Sequence, residues 1–231
     1  MQHPETLHKL AKIAFISSSL LVIVVGTLWG VRIFTTMHNQ AAAQVAATQV
    51  ANSPIGGFPM DGKLAPDFTL TDQFGQTVTL SSLRGHEVVL AFIDARCTSL
   101  CPLTAEIMYN AKAHLPAAAA SQVELVAVNA NPSATSIAVI QAWSIQHGML
   151  HQWLFLTGTA QQLEAIYHLY NVYDQVNSNG LDIHDPITFI IDAQGHERLY
   201  YETLDSQAAS DLRDEEIGLT AGMQQWLPQP E

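Results

Sequence analysis

The chain has 231 residues, 48% of them hydrophobic and only 13% charged, which allows a sizeable core and excludes wholesale disorder. Nine Lys and Arg against 21 Asp and Glu give a net charge of -12, so there is no basic stripe to follow a phosphate backbone, and nucleic-acid binding is disfavoured. Two cysteines cannot build a disulfide scaffold; they suffice for one disulfide or one small metal or redox site.

Residues 1–12 contain Lys9 and Lys12, and the run Ile13–Val31 that follows carries no charge. At about 1.5 Å per residue the run is about 28 Å long, close to the roughly 30 Å of a hydrocarbon core. Residues 13–33 therefore read as a transmembrane anchor, with residues 1–12 in the cytoplasm and Trp29 near an interface. A cleaved signal peptide is the alternative, with Ala41–Ala47 offering small residues for cleavage. Either reading puts the remainder outside the cytoplasm. Residues 34–61, dominated by Ala, Gln, Asn, Thr and Gly, read as a flexible tether. From Asp61 onward six Lys and Arg face 20 Asp and Glu, a net charge of -14 that serves solubility or draws a cation or a basic partner.

Residues 62–231 read as one folded domain. Asp67–Leu70 and Thr77–Leu80 alternate around Asp72-Gln73-Phe74-Gly75, a hairpin signal. The segment 87–94, a continuous apolar run between Glu87 and Asp94, is a strand buried on both faces, and a helix over 98–115 follows, stopped by Pro116. A second buried strand spans 123–129. A helix over 135–147 carries Ile137, Ile140 and Trp143, with Gly148 ending it. A third strand covers 153–157, and a helix over 160–170 carries Leu163, Ile166 and Tyr167. Strands at 187–192 and 197–202 and a helix within 206–226, packed through Leu212 and Ile217, complete the chain. A hairpin followed by β-α-β-α-β-α-β-β-α implies a mixed α/β sheet covered on both faces, with right-handed crossovers.

The two cysteines stand in Cys97-Thr98-Ser99-Leu100-Cys101-Pro102, after a buried strand and at the opening of a helix. A spacing of four puts both sulfurs on one helix face, and the helix N-terminus, with Arg96 nearby, favours thiolate. A disulfide across four residues closes a tiny loop and stabilises little, so a functional dithiol is the better reading. Metal binding and disulfide exchange both remain open. Among ten histidines His184 stands out, in a loop just before a strand that must be central and two residues ahead of Pro186, a candidate cis proline. In thioredoxin-type folds such a loop faces the dithiol. Two thiolates and one imidazole make a three-coordinate soft site suited to copper, whereas structural zinc wants a fourth ligand. Asp94 and Arg96 flank the dithiol and are candidates for tuning it; Asp182 and Asp185 flank His184 and are candidates for orienting its ring. Met37, Met60, Met108, Met149 and Met223 are scattered and form no methionine copper box, and Asn129, Asn131, Trp143 and Trp153 read as structural.

Taken together, the segment Ala65 to Gly75, Leu83-Arg84-Gly85, Cys97-x-x-x-Cys101-Pro102, Thr157-Gly158-Thr159, Asp182-x-His184 and Phe189 to Asp192 resemble the Sco/SenC family over roughly residues 64–201. The resemblance implies a membrane-tethered, thioredoxin-like copper protein with one added N-terminal β-hairpin, single-pass in the cell membrane with its domain on the extracytoplasmic side. It implies that Cys97, Cys101 and His184 are the copper ligands, for Cu(I) or Cu(II). It also implies a role at the copper centre of cytochrome c oxidase, delivering metal to the copper-bearing subunit or reducing its cysteines. The chain departs from many relatives in having Thr98 after the first cysteine and Asn129-Ala130-Asn131-Pro132 after the second buried strand. Pro186 with Thr188-Phe189 looks more like thioredoxin-type thiol–disulfide oxidoreductases. The alternative is therefore an oxidoreductase with no obligatory metal, in which Cys97 attacks and Cys101 resolves. No Trp-Cys-x-x-Cys occurs, and no Pro-x-x-x-Thr-x-x-Cys leads into either cysteine as in a peroxiredoxin.

Overall fold

The computed structural model describes residues 57–172, 175–176, 182–183, 187–203 and 209–228. The expected anchor (13–33), nearly all of the tether, and His184, Asp185 and Pro186 lie outside the described residues. Among those described, no helix is long and apolar enough to cross a membrane.

The order is β1 (Phe58–Pro59), β2 (Thr69–Thr71), β3 (Thr77–Thr79), a 3-10 turn (Leu80–Leu83), β4 (Glu87–Ile93), α1 (Leu100–Ala113), α2 (Ala117–Ala120), β5 (Val123–Asn129), α3 (Ile137–Gln146), β6 (Leu154–Leu156), α4 (Ala160–Leu169), β7 (Gln175–Val176), β8 (Asp182–Ile183), β9 (Ile187–Ile191), β10 (Glu197–Glu202) and α5 (Ala209–Trp226). The main sheet runs β1-β10-β9-β4-β5-β6; β2–β3 and β7–β8 form separate two-stranded ribbons. β4, β5 and β6 are parallel, in the registers Ala91↔Ala127 and Ala127↔Phe155. β9 returns antiparallel against β4, and β10 and β1 continue outward antiparallel.

β4 is buried at all seven positions; the apolar run Val88–Ile93 is what a strand covered on both sides requires, and Glu87 is buried with it. Alternation along it feeds two cores. Val89, Ala91 and Ile93 pack with Met108 of α1, Ile140 and Trp143 of α3, and Leu219 and Met223 of α5. Val88, Leu90 and Phe92 pack with Leu163, Ile166 and Tyr167 of α4, with Leu70 of the β2–β3 ribbon and with Phe68 just before it. The hairpin turn is set by Asp72, whose Oδ1 accepts from Phe74 N and Gln76 N at 2.8 and 2.7 Å, and by Gly75 at φ 85°, a value that favours glycine.

One packing expectation fails. Ile217 is 53% exposed; the buried stripe of α5 runs through Leu219 and Met223, with Leu212 and Trp226 partly buried against the same core. Counted at roughly 100° per residue, Ile217 lies about 140° round the helix from Leu212, whereas Leu219 and Met223 lie almost beneath it. In α3, Ile140 and Trp143 are buried while Ile137 is 37% exposed. Sequence reading missed the short β1, the β7–β8 ribbon and α2, whose entry is set by Pro116 at its N-cap.

Candidate functional site

The chain leaves β4 at Ile93 and turns once before entering α1. Cys97 N donates to Asp94 O at 3.0 Å, and Asp94 Oδ1 accepts from Arg96 N at 2.7 Å. Aspartate at the first position of such a turn holds the backbone that follows it. α1 begins at Leu100, so Cys97 sits in the turn and only Cys101 is helical. This corrects the expectation that one helix face carries both cysteines. A folded-back turn, and not an i,i+4 register, brings them together.

The pairing is direct. Cys101 N, one of the first-turn amides that lack a helical acceptor, donates to Cys97 Sγ at 3.5 Å. The N-cap residue Ser99 makes no capping bond; its hydroxyl pairs with Cys97 Sγ at 3.7 Å. The sulfur thus takes the place of a capping oxygen. Both cysteines are free thiols, Cys97 partly exposed and Cys101 4% exposed.

Their acidities diverge. A hydrogen bond from the Cys101 thiol, opposed by burial and reinforced by the Cys101 and Ser99 amides and the Ser99 hydroxyl, holds Cys97 down to about 5. The same bond to Cys97, together with burial and the adjacent negative sulfur, pushes Cys101 well above the usual thiol range. The expected help from Arg96 is not evident, for that side chain is exposed. The result is one ready thiolate in front of one held proton, two soft donors side by side.

A polar network lies under the turn. Asp94 is buried, and its Oδ1 also accepts from Asn131 Nδ2 at 3.0 Å. Asn131 Oδ1 in turn accepts from Ser133 N and Ser133 Oγ at 2.9 and 2.6 Å. Asn129 ties the same loop to the residue that follows β6, donating through Nδ2 to Ala134 O and Thr157 Oγ1. Trp143 and Trp153 stack in the core, as a structural reading expects. Thr104, one helical turn beyond Cys101, donates to Thr203 Oγ1 at 3.0 Å and ties α1 to the residue after β10. Sequence reading missed the roles of Ser99, Asn131 and Ser133; the one available signal was an Asn-Pro-Ser loop at the carboxyl end of a strand, where sites gather in α/β sheets.

His184 and Asp185 lie outside the described residues, and of Asp182 only the backbone, in β8, is described. The register does fix where β9 starts: Thr188 pairs with Ala91, so the strand begins at the end of β4 that leads to Cys97. Among the described residues no group of three His, Cys, Asp or Glu side chains is placed to hold a metal ion. The donors that fit one are the two sulfurs.

Comparison with known proteins gives a consistent likeness. The family model described as SCO1/SenC matches residues 59–214. The solution structure of apo Sco1 from Thermus thermophilus is similar at a TM-score of 0.62 and 23% identity, covering 77% of this chain and 99% of that one. Arabidopsis thaliana ScoI, crystallised with copper bound, gives 0.58 at 17% identity, covering 71% of this chain and 100% of its own. BsSco, described as a member of the Sco family of cytochrome c oxidase assembly proteins, gives 0.54 at 20% identity, covering 71% and 97%. At these identities the likeness is one of fold, and it bears out the mixed, thioredoxin-like α/β architecture. Among curated sequences, chloroplastic peroxiredoxin Q of Oryza sativa subsp. japonica is 39% identical over 67 residues, 29% of this chain. The chain spans only 31% of the length of that relative.

Proposed function

This chain belongs to the SCO1/SenC family, and from that premise we propose that it binds copper for the assembly of cytochrome c oxidase. Cys97, Cys101 and His184 are its ligands in this reading, and residues 13–33 tether it to a membrane with the folded domain on the extracytoplasmic side. The observation that carries the reading is the free sulfur pair, drawn together at the first turn of α1 by the bond from Cys101 N to Cys97 Sγ. The start of β9 at the same end of the sheet supports His184, three residues upstream of it, as the third ligand.

The chain's own groups set the order of events. Cys97 is already thiolate at neutral pH, whereas Cys101 must release its proton to become a ligand, so loading displaces a proton from the deeper sulfur. Two thiolates and an imidazole favour Cu(I). An oxidised pair offers no thiolate, so the dithiol must be reduced before it takes up metal.

The test is competition between the reduced full chain and a Cu(I) chelator. One Cu(I) per chain is expected, and Cys97→Ser or His184→Ala should weaken binding by about a hundredfold or more, beyond the range seen for residues that merely orient ligands. Unchanged affinity in His184→Ala would overturn the three-ligand site.

The split between the two thiols favours one second reading, a thiol–disulfide reductase. Cys97 thiolate would attack a partner's disulfide, forming a mixed disulfide and releasing one partner thiolate. Cys101, after losing its proton, would then attack Cys97 Sγ and expel the second, leaving Cys97 and Cys101 oxidised. Copper-free His184→Ala protein that reduces a disulfide at the wild-type rate would favour this reading.

A further inference from the structure

We propose that Asn131 is a positioning residue for the dithiol: it touches neither sulfur, yet its carboxamide fixes the turn that carries Cys97. The side chain is 4% exposed, and both ends of its amide are used. Oδ1 faces two donors, Ser133 N and Ser133 Oγ, which leaves Nδ2 as the group aimed at Asp94 Oδ1. That same carboxylate oxygen receives Arg96 N, while the Asp94 carbonyl receives Cys97 N. The connection therefore runs from Ser133 through Asn131 and Asp94 to the backbone of Cys97, and from Cys97 Sγ to Cys101 N. β5 holds the far end in place, since Ala130 N donates to Ile93 O and Asn131 N to Asn129 Oδ1.

The residue type is specific to the task. An aspartate at this position would set two carboxylates 3.0 Å apart with no donor between them. A leucine of similar size would leave the buried Asp94 Oδ1 short of a donor and the Ser133 donors without their protein acceptor. The Asp94–Cys97 turn would then lose the tie that holds Cys97 Sγ against the start of α1. A Cys97 thiolate accepts from Cys101 N more strongly than a disulfide sulfur does, so loosening the turn disfavours the dithiol relative to the disulfide.

The inference rests on the reading of Cys97 and Cys101 as the working pair, and its test needs no metal. The metal-free full chain is equilibrated with reduced and oxidised glutathione, and the ratio of dithiol to disulfide is read by alkylation and mass spectrometry. Each turn of this exchange converts one protein dithiol and one oxidised glutathione into one protein disulfide and two reduced glutathiones. Asn131→Leu should move the equilibrium toward the disulfide by roughly fivefold or more. Asp94→Ala, which also removes the acceptor of Arg96 N, should move it at least as far, and the double variant no further than Asp94→Ala alone, because Asn131 reaches the turn through Asp94. Ser133→Ala, which releases one of the two donors orienting the amide, should give a smaller shift in the same direction and serves if Asn131→Leu fails to fold. Ile140→Val, a core truncation away from the turn, should lower stability without moving the equilibrium. Wild-type equilibria in both Asn131→Leu and Ser133→Ala, or additive shifts in the double variant, would overturn the proposal. A wild-type chain that binds no Cu(I) while Asn131→Leu still shifts the equilibrium would count against the copper reading alone.

Discussion

Glu87 opens β4 on the same side as Val89, Ala91 and Ile93, and it is fully buried. Neither of its carboxyl oxygens has a hydrogen-bond partner among the described residues. Burial, aided by the nearby Asp192 charge, pushes its pKa from 4.5 up to about 9, so it is held as the neutral acid at neutral pH. A raised pKa contributes stability that is complete below the unfolded value and is lost as pH rises through the folded one. Between pH 4.5 and about 9 the fold should therefore lose about 1 kcal/mol per pH unit through this residue alone. Cys97 works in the opposite sense over nearly the same window, since its pKa falls from 9.0 to about 5 and its contribution grows as pH rises. Glu87→Gln should remove the first slope, and urea denaturation of reduced protein at pH 5, 7 and 9 should show the variant gaining on wild type as pH rises. Parallel curves would mean that Glu87 ionises normally. The sulfur pair was legible in the sequence because spacing and a strand-to-helix junction are local signals. Glu87 and Asn131 were not, because a single polar residue reveals neither its burial nor its partner until distant segments are brought against it.

At the scale of elements, the β2–β3 ribbon guards an edge. β6 is the last strand of the sheet, and its free side would expose unpaired amides. Thr71 and Thr157 exchange both backbone bonds, at 2.9 and 2.7 Å. Gln73, from the hairpin turn, is completely buried and completes the cover. Its Oε1 accepts from Phe155 N at 2.7 Å, and its Nε2 donates to Trp153 O and Leu150 O. Gln73→Leu strands one buried donor and two acceptors and should destabilise the domain by about 2–4 kcal/mol, read as a lower urea midpoint with an unchanged m-value. A midpoint within error of wild type would mean that water replaces the amide. The hairpin itself was readable from alternation and turn residues, as were the buried strands and α4, whose three expected core residues are all buried. What the turn residue Gln73 would grip was not, because its partners lie some 80 positions away. Ile217 misled for a related reason: an apolar residue shows no face until the stripe of its helix is known.

For the molecule as a whole, a net charge of -14 from Asp61 onward sits beside an N-terminal run with no charge at all. The reading of that run as an anchor has a direct test in membrane fractionation. Wild-type chain should stay in the pellet after an alkaline carbonate wash. Val24→Arg, which adds about 2.5–3.5 kcal/mol to insertion at the centre of the run, should release a substantial fraction. Full extraction of the wild type would leave peripheral attachment or a cleaved leader in place of a tether. The same division limits what sequence supplies at this scale, since a hydrophobic run announces a lipid environment by itself, whereas the meeting of strand ends around the dithiol depends on how β4 and β9 align.

The two sulfurs do not meet the outside on equal terms, because Cys97 is partly open and Cys101 is nearly sealed behind it. An incoming macromolecule reaches the front atom first, so any transfer, whether of an ion or of a covalent bond, has a fixed sequence of contacts. The rear atom joins only once the first link exists, and a single bulky thiol reagent per chain should be enough to block the doorway.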